Sequence, residues 1–182
     1  MHSAFAAKPT MRLDPITPGS RAELAELEAR ILAERGRISP LYQVLLNSPP
    51  IAQGWEQMLS AVRKRNSIPA AVRELVILRV AILNRAPYEF EAHVPHALAA
   101  GVSAQAIESV RQTVLDDAAG LDAAQQVALR LCDAMTRDIE VPEALYQQVR
   151  AHFDAQGQLD LVATVAAYNM VSRLLVALQI GH

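Results

Sequence analysis

From Ala70 to Asn84 the chain reads AAVRELVILRVAILN, and its only polar side chains there are Arg73, Glu74, Arg79 and Asn84. Apolar residues therefore wrap nearly the whole circumference of any helix formed by this stretch. A helix that is apolar all round must be surrounded by other elements, so the segment is expected at the buried centre of a helical bundle. Composition points the same way. Gly is scarce at 7 of 182 residues and aromatics make up 4%, while Ala and Leu abound. Ala and Leu lose little freedom in a helix, whereas strands favour β-branched and aromatic residues.

The rest of the chain supplies the surrounding helices. Residues 1–19 hold Pro9, Pro15, Pro18 and Gly19 and are expected as an extended arm; Met11 is an alternative start. Ser20 to Glu23 has the spacing of a capping box, opening a helix with Leu24, Leu27, Ile31 and Leu32 on one face, closed by Gly36. Ser39-Pro40 begins a short helix, and Ser48-Pro49-Pro50 another that reaches about Arg65. Pro87 opens the helix after the central one, ending at Gly101. Ser103 caps a helix through Gln112, and Asp122 with Gln125 forms a capping box for one ending near Thr136. Pro142 starts a helix to about Phe153, and the last runs from about Leu159 to Leu178. No segment alternates with the period of a half-buried strand for more than a few residues. The expected fold is all-α, a bundle of about eight helices forming one domain over 20–182. Its core is 67–180, with an N-terminal helical cap set off by a weak boundary at 66–68.

The bulk numbers exclude several classes. With 52% apolar and 20% charged residues the chain is not of the disordered type. A net charge of −2 gives no basic field for nucleic acid or an anionic membrane. Cys132 is the only cysteine, so no internal disulfide can form and a reducing, cytoplasmic setting is expected. No secretion signal is visible, and no run approaches the roughly 20 apolar residues of a spanning helix.

Several residues could carry chemistry. Glu89 and His93 lie four apart on one expected helix, which puts them on one face, with His96 further along the same stripe. A carboxylate beside an imidazole favours the imidazolium and fixes the ring's tautomer, the equipment of a proton-transfer site. Glu74 sits among apolar neighbours, and a buried carboxylate must shift its pKa or find a partner. Both features also suit structural ion pairs. Pro95 should free the Glu91 carbonyl and bend its helix. Arg79 and Arg173 are possible clamps for a substrate carboxylate or members of salt bridges. Tyr88, His96 and Trp55 complete the candidate substrate contacts, while Trp55 and Tyr42 suit core packing too. Cys132, among Leu129, Leu131 and Met135, is expected in the core. His2, His152 and His182 are expected at the surface. Glu89, His93 and His96 match no common metal pattern; neither metal nor organic cofactor is assigned.

The spacing of these residues resembles the active-site helix pair of the carboxymuconolactone decarboxylase and alkylhydroperoxidase D superfamily. The peroxidase branch runs Glu, eleven residues, Cys, two residues, Cys, three residues, His. The same register here gives Glu74, Ala86, Glu89 and His93. RELVILRVAILN, the AAGVS of Ala99 to Ser103, and YNMVSRLLVAL from Tyr168 are also typical, so the resemblance covers roughly 40–180, with 70–103 its specific core. It implies an alkylhydroperoxidase D-like fold and a homo-oligomer, whether dimer, trimer or hexamer. Family peroxidases use the second Cys as peroxidatic thiolate and the first as its resolving partner. Neither Ala86 nor a carboxylate at Glu89 can supply a thiolate, so disulfide-cycling peroxidase chemistry is excluded at this site. The decarboxylase branch lacks the Cys pair and acts on a carboxylated unsaturated lactone. By this resemblance His93 is the proton donor or acceptor, Glu89 or Glu74 orients it, and the substrate is a small carboxylated or lactone molecule. A degenerate antioxidant protein and a non-catalytic ligand-binding oligomer remain alternatives.

Overall fold

The computed structural model describes residues 11–112, 115 and 120–181, and among these the secondary structure is helical throughout. Nine α-helices follow in order: α1 (Ala25–Arg35), α2 (Pro40–Leu45), α3 (Pro49–Lys64), α4 (Ala70–Leu83), α5 (Pro87–Ala99), α6 (Ala104–Ser109), α7 (Ala123–Arg137), α8 (Glu143–His152) and α9 (Ala155–Leu178). The residues expected as one domain group into two compact units. Those up to Gln57 with those from Leu175 form the first, and Met58–Leu174 the second. The boundary expected at 66–68 thus lies inside the second unit.

In the first unit the described part of the arm is non-helical and tied down by its backbone. Arg12 donates from its amide to the Leu178 carbonyl (3.0 Å) and from its guanidinium to that of Ala177 (2.9 Å). These carbonyls lie in the last turn of α9, where the helix itself runs out of amide donors. The part of the arm over 1–10, with His2, lies outside the described residues, as does His182. The expected capping box at Ser20 does not form. A 3-10 turn over Ala22–Leu24 comes first, without a side-chain cap, and the Gly19 amide donates instead to Glu28, one turn into α1 (2.9 Å). Gly36 ends α1 as expected. Its φ of 72° is the left-handed conformation open to glycine, and its amide reaches the Leu32 carbonyl (2.8 Å).

The second unit is organised by α4. Val72 and every residue from Glu74 to Ala81 are buried, which is what a nearly all-apolar circumference demands. Leu75, Leu78 and Ala81 of α4 share one core with Phe90 and Ala97 of α5, Ala106 and Ile107 of α6, and Leu129 of α7. Each large apolar side chain buried this way is worth roughly 1.5–3 kcal/mol. The capping box at Asp122 and Gln125 is present with both hydrogen bonds. The Ser103 hydroxyl accepts from the Ala106 amide, but α6 stops at Ser109, short of Gln112. α5 runs through Pro95 without a break.

α9 begins four residues before its expected start. It is long and apolar enough to cross a membrane by length and composition, with a mean hydropathy of 1.7 in its most apolar stretch; the sequence reading expected no such run. Its polar side chains meet partners within the chain. Asp160 accepts from the Ser67 amide (2.7 Å) and hydroxyl (2.8 Å), and Asn169 bonds Asn84 (2.9 Å) and Thr136 (3.0 Å).

Among the described residues Arg85, Ile139 and Gln179 adopt a positive φ without being glycine, and Ile139 is the β-branched one of the three. Ile139, just past α7, has a φ of 69° and is 75% exposed. The left-handed conformation costs an L-residue roughly 1–2 kcal/mol, and a β-branched residue suits it least. Ile139→Asn is therefore expected to raise the unfolding free energy by about 1 kcal/mol. Urea denaturation measures this, and an unchanged or lower midpoint would contradict it.

Candidate active site

Glu74 projects from the buried centre of α4 and His93 from the middle of α5. The Glu74 Oε2 and His93 Nδ1 atoms are 2.8 Å apart, with Glu74 2% and His93 8% exposed. The first half of the expected cluster is therefore an inter-helix pair. His93 takes its carboxylate from Glu74, while Glu89, its neighbour one turn back, bonds elsewhere. Glu74 also receives the Arg73 Nε at 3.3 Å.

Electrostatics fix the ground state of this pair. Burial by itself would raise the Glu74 carboxyl, but the hydrogen bond and charge of His93, with Arg73 and Arg63, hold it below the ordinary value. Burial also works against the imidazolium and outweighs the help of Glu74, while Arg63 and His96 add repulsion, so His93 is held below the usual histidine value. Against the expectation of a charged imidazolium, burial pulls this ring toward its neutral form beside the Glu74 carboxylate. A carboxylate only accepts, so the ring carries its hydrogen on Nδ1 and donates it to Glu74. Nε2 is left with a lone pair. A ring held in this way is chemically able to accept a proton on Nε2.

Glu89 is 2% exposed. Its Oε2 meets the hydroxyl of Ser172 on α9, and its Oε1 is buried without a hydrogen-bond partner. Burial pushes its carboxyl up to about 8, with Ser172 opposing the shift. The Ser172 hydroxyl also lies 2.8 Å from the Tyr168 carbonyl. The ring of Tyr168 stands edge-on to His93, centroids 5.2 Å apart. Tyr168 and Ser172, one turn apart on α9, thus join the two acids' surroundings. The sequence reading missed Ser172, Tyr168 and Arg63. For Tyr168 and Ser172 the available signal was their spacing of four on one helix, which puts them on one face.

The other candidates divide. The exposed His96 ring is 5.6 Å from that of His93, which brings it to the rim of the cluster. Tyr88 is half-buried on α5. Arg79 is not placed to clamp a substrate. It is fully buried, bonds Asp133 through Nε and Nη2 (both 2.6 Å), and donates from Nη1 to the carbonyls of Val110 (2.8 Å) and Gln112 (2.6 Å). Arg173 is exposed and turns back along α9 to Asn169. Trp55 is buried in the first unit. So is Tyr42, whose hydroxyl bonds Glu56 beside Arg35. Cys132 is buried, its thiol 3.8 Å from the Val76 carbonyl and held protonated by burial. Among the described residues no group of three or more His, Cys, Asp or Glu could hold a metal ion.

Residues 49–134 match the model of the carboxymuconolactone decarboxylase family, and the register of Glu74 and His93 lies inside that span. Over that span the chain is similar to the carboxymuconolactone decarboxylase family. The chain is 27% identical over 117 residues to the uncharacterized protein YdfG of Bacillus subtilis (strain 168), covering 63% of this chain and 78% of the relative. Its fold is that of the alkylhydroperoxidase AhpD core of an uncharacterized peroxidase-related protein from Ralstonia eutropha JMP134. The TM-score is 0.80 at 17% identity, over 96% of this chain and 93% of the other. It also matches the fold of the debrominase Bmp8, solved with 2,3,4-tribromopyrrole, with a TM-score of 0.76 at 12% identity over 94% and 91% of the two chains. The fold thus houses at least one enzyme.

Proposed function

We propose that this chain is an acid/base enzyme that decarboxylates or isomerises a small carboxylated or lactone substrate. The observation that carries the reading is the buried Glu74–His93 pair, 2.8 Å apart, in which burial holds the ring below the usual histidine value and Glu74 takes up Nδ1, leaving Nε2 for a proton. Glu74 orients the ring and stabilises the imidazolium that forms when Nε2 accepts a proton from carbon. In a decarboxylation the carbon–carbon bond to the carboxylate breaks and its electron pair moves into the lactone carbonyl. Carbon dioxide leaves, and a proton taken from solvent by His93 Nε2 is passed from the imidazolium to carbon. In an isomerisation the base removes a proton from one carbon and a proton is added at another. Both use a carbonyl within the substrate as electron sink. Half-buried Arg63, whose charge acts on both Glu74 and His93, supports the binding of an anionic substrate group, the role expected of Arg79. The thiol-peroxidase alternative is left with a thiol that is buried and protonated, and the thiolate is the nucleophile such chemistry requires.

His93→Ala and Glu74→Gln are each expected to slow turnover of unsaturated γ-lactone carboxylates by about 10²–10⁴-fold. Deuterium uptake from D₂O, followed by proton NMR, reads the reaction, and circular dichroism checks the fold. Cys132→Ser is expected to keep the wild-type rate. Wild-type rates in both site variants would refute the assignment, and loss of turnover in Cys132→Ser alone would restore the thiol reading.

A further inference from the structure

A carboxyl group taken out of water without a cation beside it holds its proton, because the charged form loses its hydration and nothing replaces it. Glu89 is in that position, and the charged groups named next, with Asp160 of α9, which serves Ser67, bond elsewhere. On α4, Glu74 serves His93 and Arg73, and Arg79 serves Asp133. On α5, Glu91 bonds Arg111, and His96 lies against His93. On α6, Glu108 bridges to Arg111, and on α9, Arg173 turns to Asn169. Ser172 is the group that meets Glu89, and only on Oε2. Its hydroxyl has one hydrogen and two acceptors in reach, Glu89 Oε2 and the Tyr168 carbonyl, so it can serve either one.

We propose that Glu89 works as an uncharged acid that gives a proton from Oε1 to the bound molecule, with Ser172 as its positioning residue. While Glu89 is protonated on Oε2, that hydrogen goes to the Ser172 oxygen and the serine hydrogen to the Tyr168 carbonyl. When the proton sits on Oε1, the serine hydrogen turns to Oε2. Transfer then breaks the Oε1–H bond and forms a bond from that hydrogen to a carbon or oxygen of the substrate. The electron pair stays on the carboxylate, which Ser172 stabilises. This rests on His93 as the base. His93 Nε2 takes a proton from one atom of the molecule while Glu89 supplies one to another, so a proton is moved within the substrate with no oxidant or reductant. His93 returns its proton, and Glu89 regains one, through solvent between turnovers. A neutral base facing a neutral acid suits isomerisation of an enolisable lactone or related carbonyl compound.

Carbon-13 NMR of protein labelled at glutamate Cδ tests the acid without any substrate, with Glu89→Gln identifying the resonance. One carboxyl is expected to titrate near pH 8. In Ser172→Ala its midpoint should rise by about one pH unit, a tenfold change in acid constant, because the carboxylate loses a hydrogen bond. Ser172→Thr, which keeps the hydroxyl, should stay near the wild-type value. With an unsaturated γ-lactone carboxylate in D₂O, Glu89→Gln should lose turnover and Ser172→Ala should lower kcat with KM nearly unchanged. Titration in the ordinary carboxylate range, an unmoved midpoint in Ser172→Ala, or full turnover in Glu89→Gln would each overturn the proposal. Full turnover in His93→Ala with the titration intact would remove the base and leave the acid standing, so the two assignments fail separately.

Discussion

Arg79→Ala is expected to lower the unfolding free energy by about 3–5 kcal/mol, the range for breaking a buried ion pair by deleting one partner. The guanidinium is 0% exposed, and all three of its nitrogens donate: two to Asp133 and one to the carbonyls of Val110 and Gln112. Deletion leaves Asp133 with the more distant Arg137, at 3.4 Å, and those carbonyls without this donor. Arg79→Lys should recover little, because a single ammonium cannot span a carboxylate and two carbonyls in a fixed fork. The double variant Arg79→Met, Asp133→Leu separates the two contributions. Were the ion pair all that mattered, an apolar replacement would come close to wild type. Because the chain at 110–112 is held by the same guanidinium, the double variant should stay at least about 1 kcal/mol below it. Urea denaturation decides. Arg79→Ala within 1 kcal/mol of wild type would remove the anchoring role.

Glu89→Gln should stabilise the protein, and increasingly so as the pH rises. Its carboxyl sits near 4.5 when unperturbed and near 8 in the folded chain. Below about pH 4.5 both states are protonated, and replacement by an isosteric amide changes little. Between the two values the unfolded chain ionises while the native one cannot, so native stability falls by about 1.4 kcal/mol per pH unit. Above about pH 8 both states are ionised and the difference levels off. The variant is therefore expected to exceed wild type by about 3–5 kcal/mol at pH 8.5 and by little at pH 4.5. Many domains have only 5–15 kcal/mol in total, so the effect should show directly in urea midpoints at the two pH values. Parallel curves would mean that Glu89 ionises normally in the fold. A more stable variant that has lost turnover would show a site held at the expense of stability.

Much of the helical layout was legible because it depends on local chemistry. The apolar circumference of Ala70 to Asn84 forced a buried helix, and Pro87, Ser103 and the Asp122–Gln125 box marked real starts. Ser20 had the same spacing as Asp122 and made no cap, since a 3-10 turn preceded α1 and Glu28 took the Gly19 amide. Spacing along one helix overrated Glu89 with His93. It could not weigh a carboxylate arriving from α4 against one on the same face. Arg79 carried a comparable ambiguity. A guanidinium in an apolar helix needs acceptors, and the sequence does not say whether a ligand or Asp133, 54 residues on, provides them. Ser172 was hidden because a serine on an apolar helix looks like many others until its partner 83 residues away is known.

That separation gives the site an order of assembly. The base and its carboxylate come from adjacent helices, 19 residues apart, and can meet as soon as the α4–α5 hairpin has left the ribosome. The serine that serves the acid is made 83 residues after it, about 4–17 s later at 5–20 residues per second. Through that interval a nascent chain holds a formed dyad and a glutamate whose hydroxyl partner has not yet been synthesised. A chain ended before α9 would carry Glu74 and His93 but lack the hydroxyl that meets Glu89.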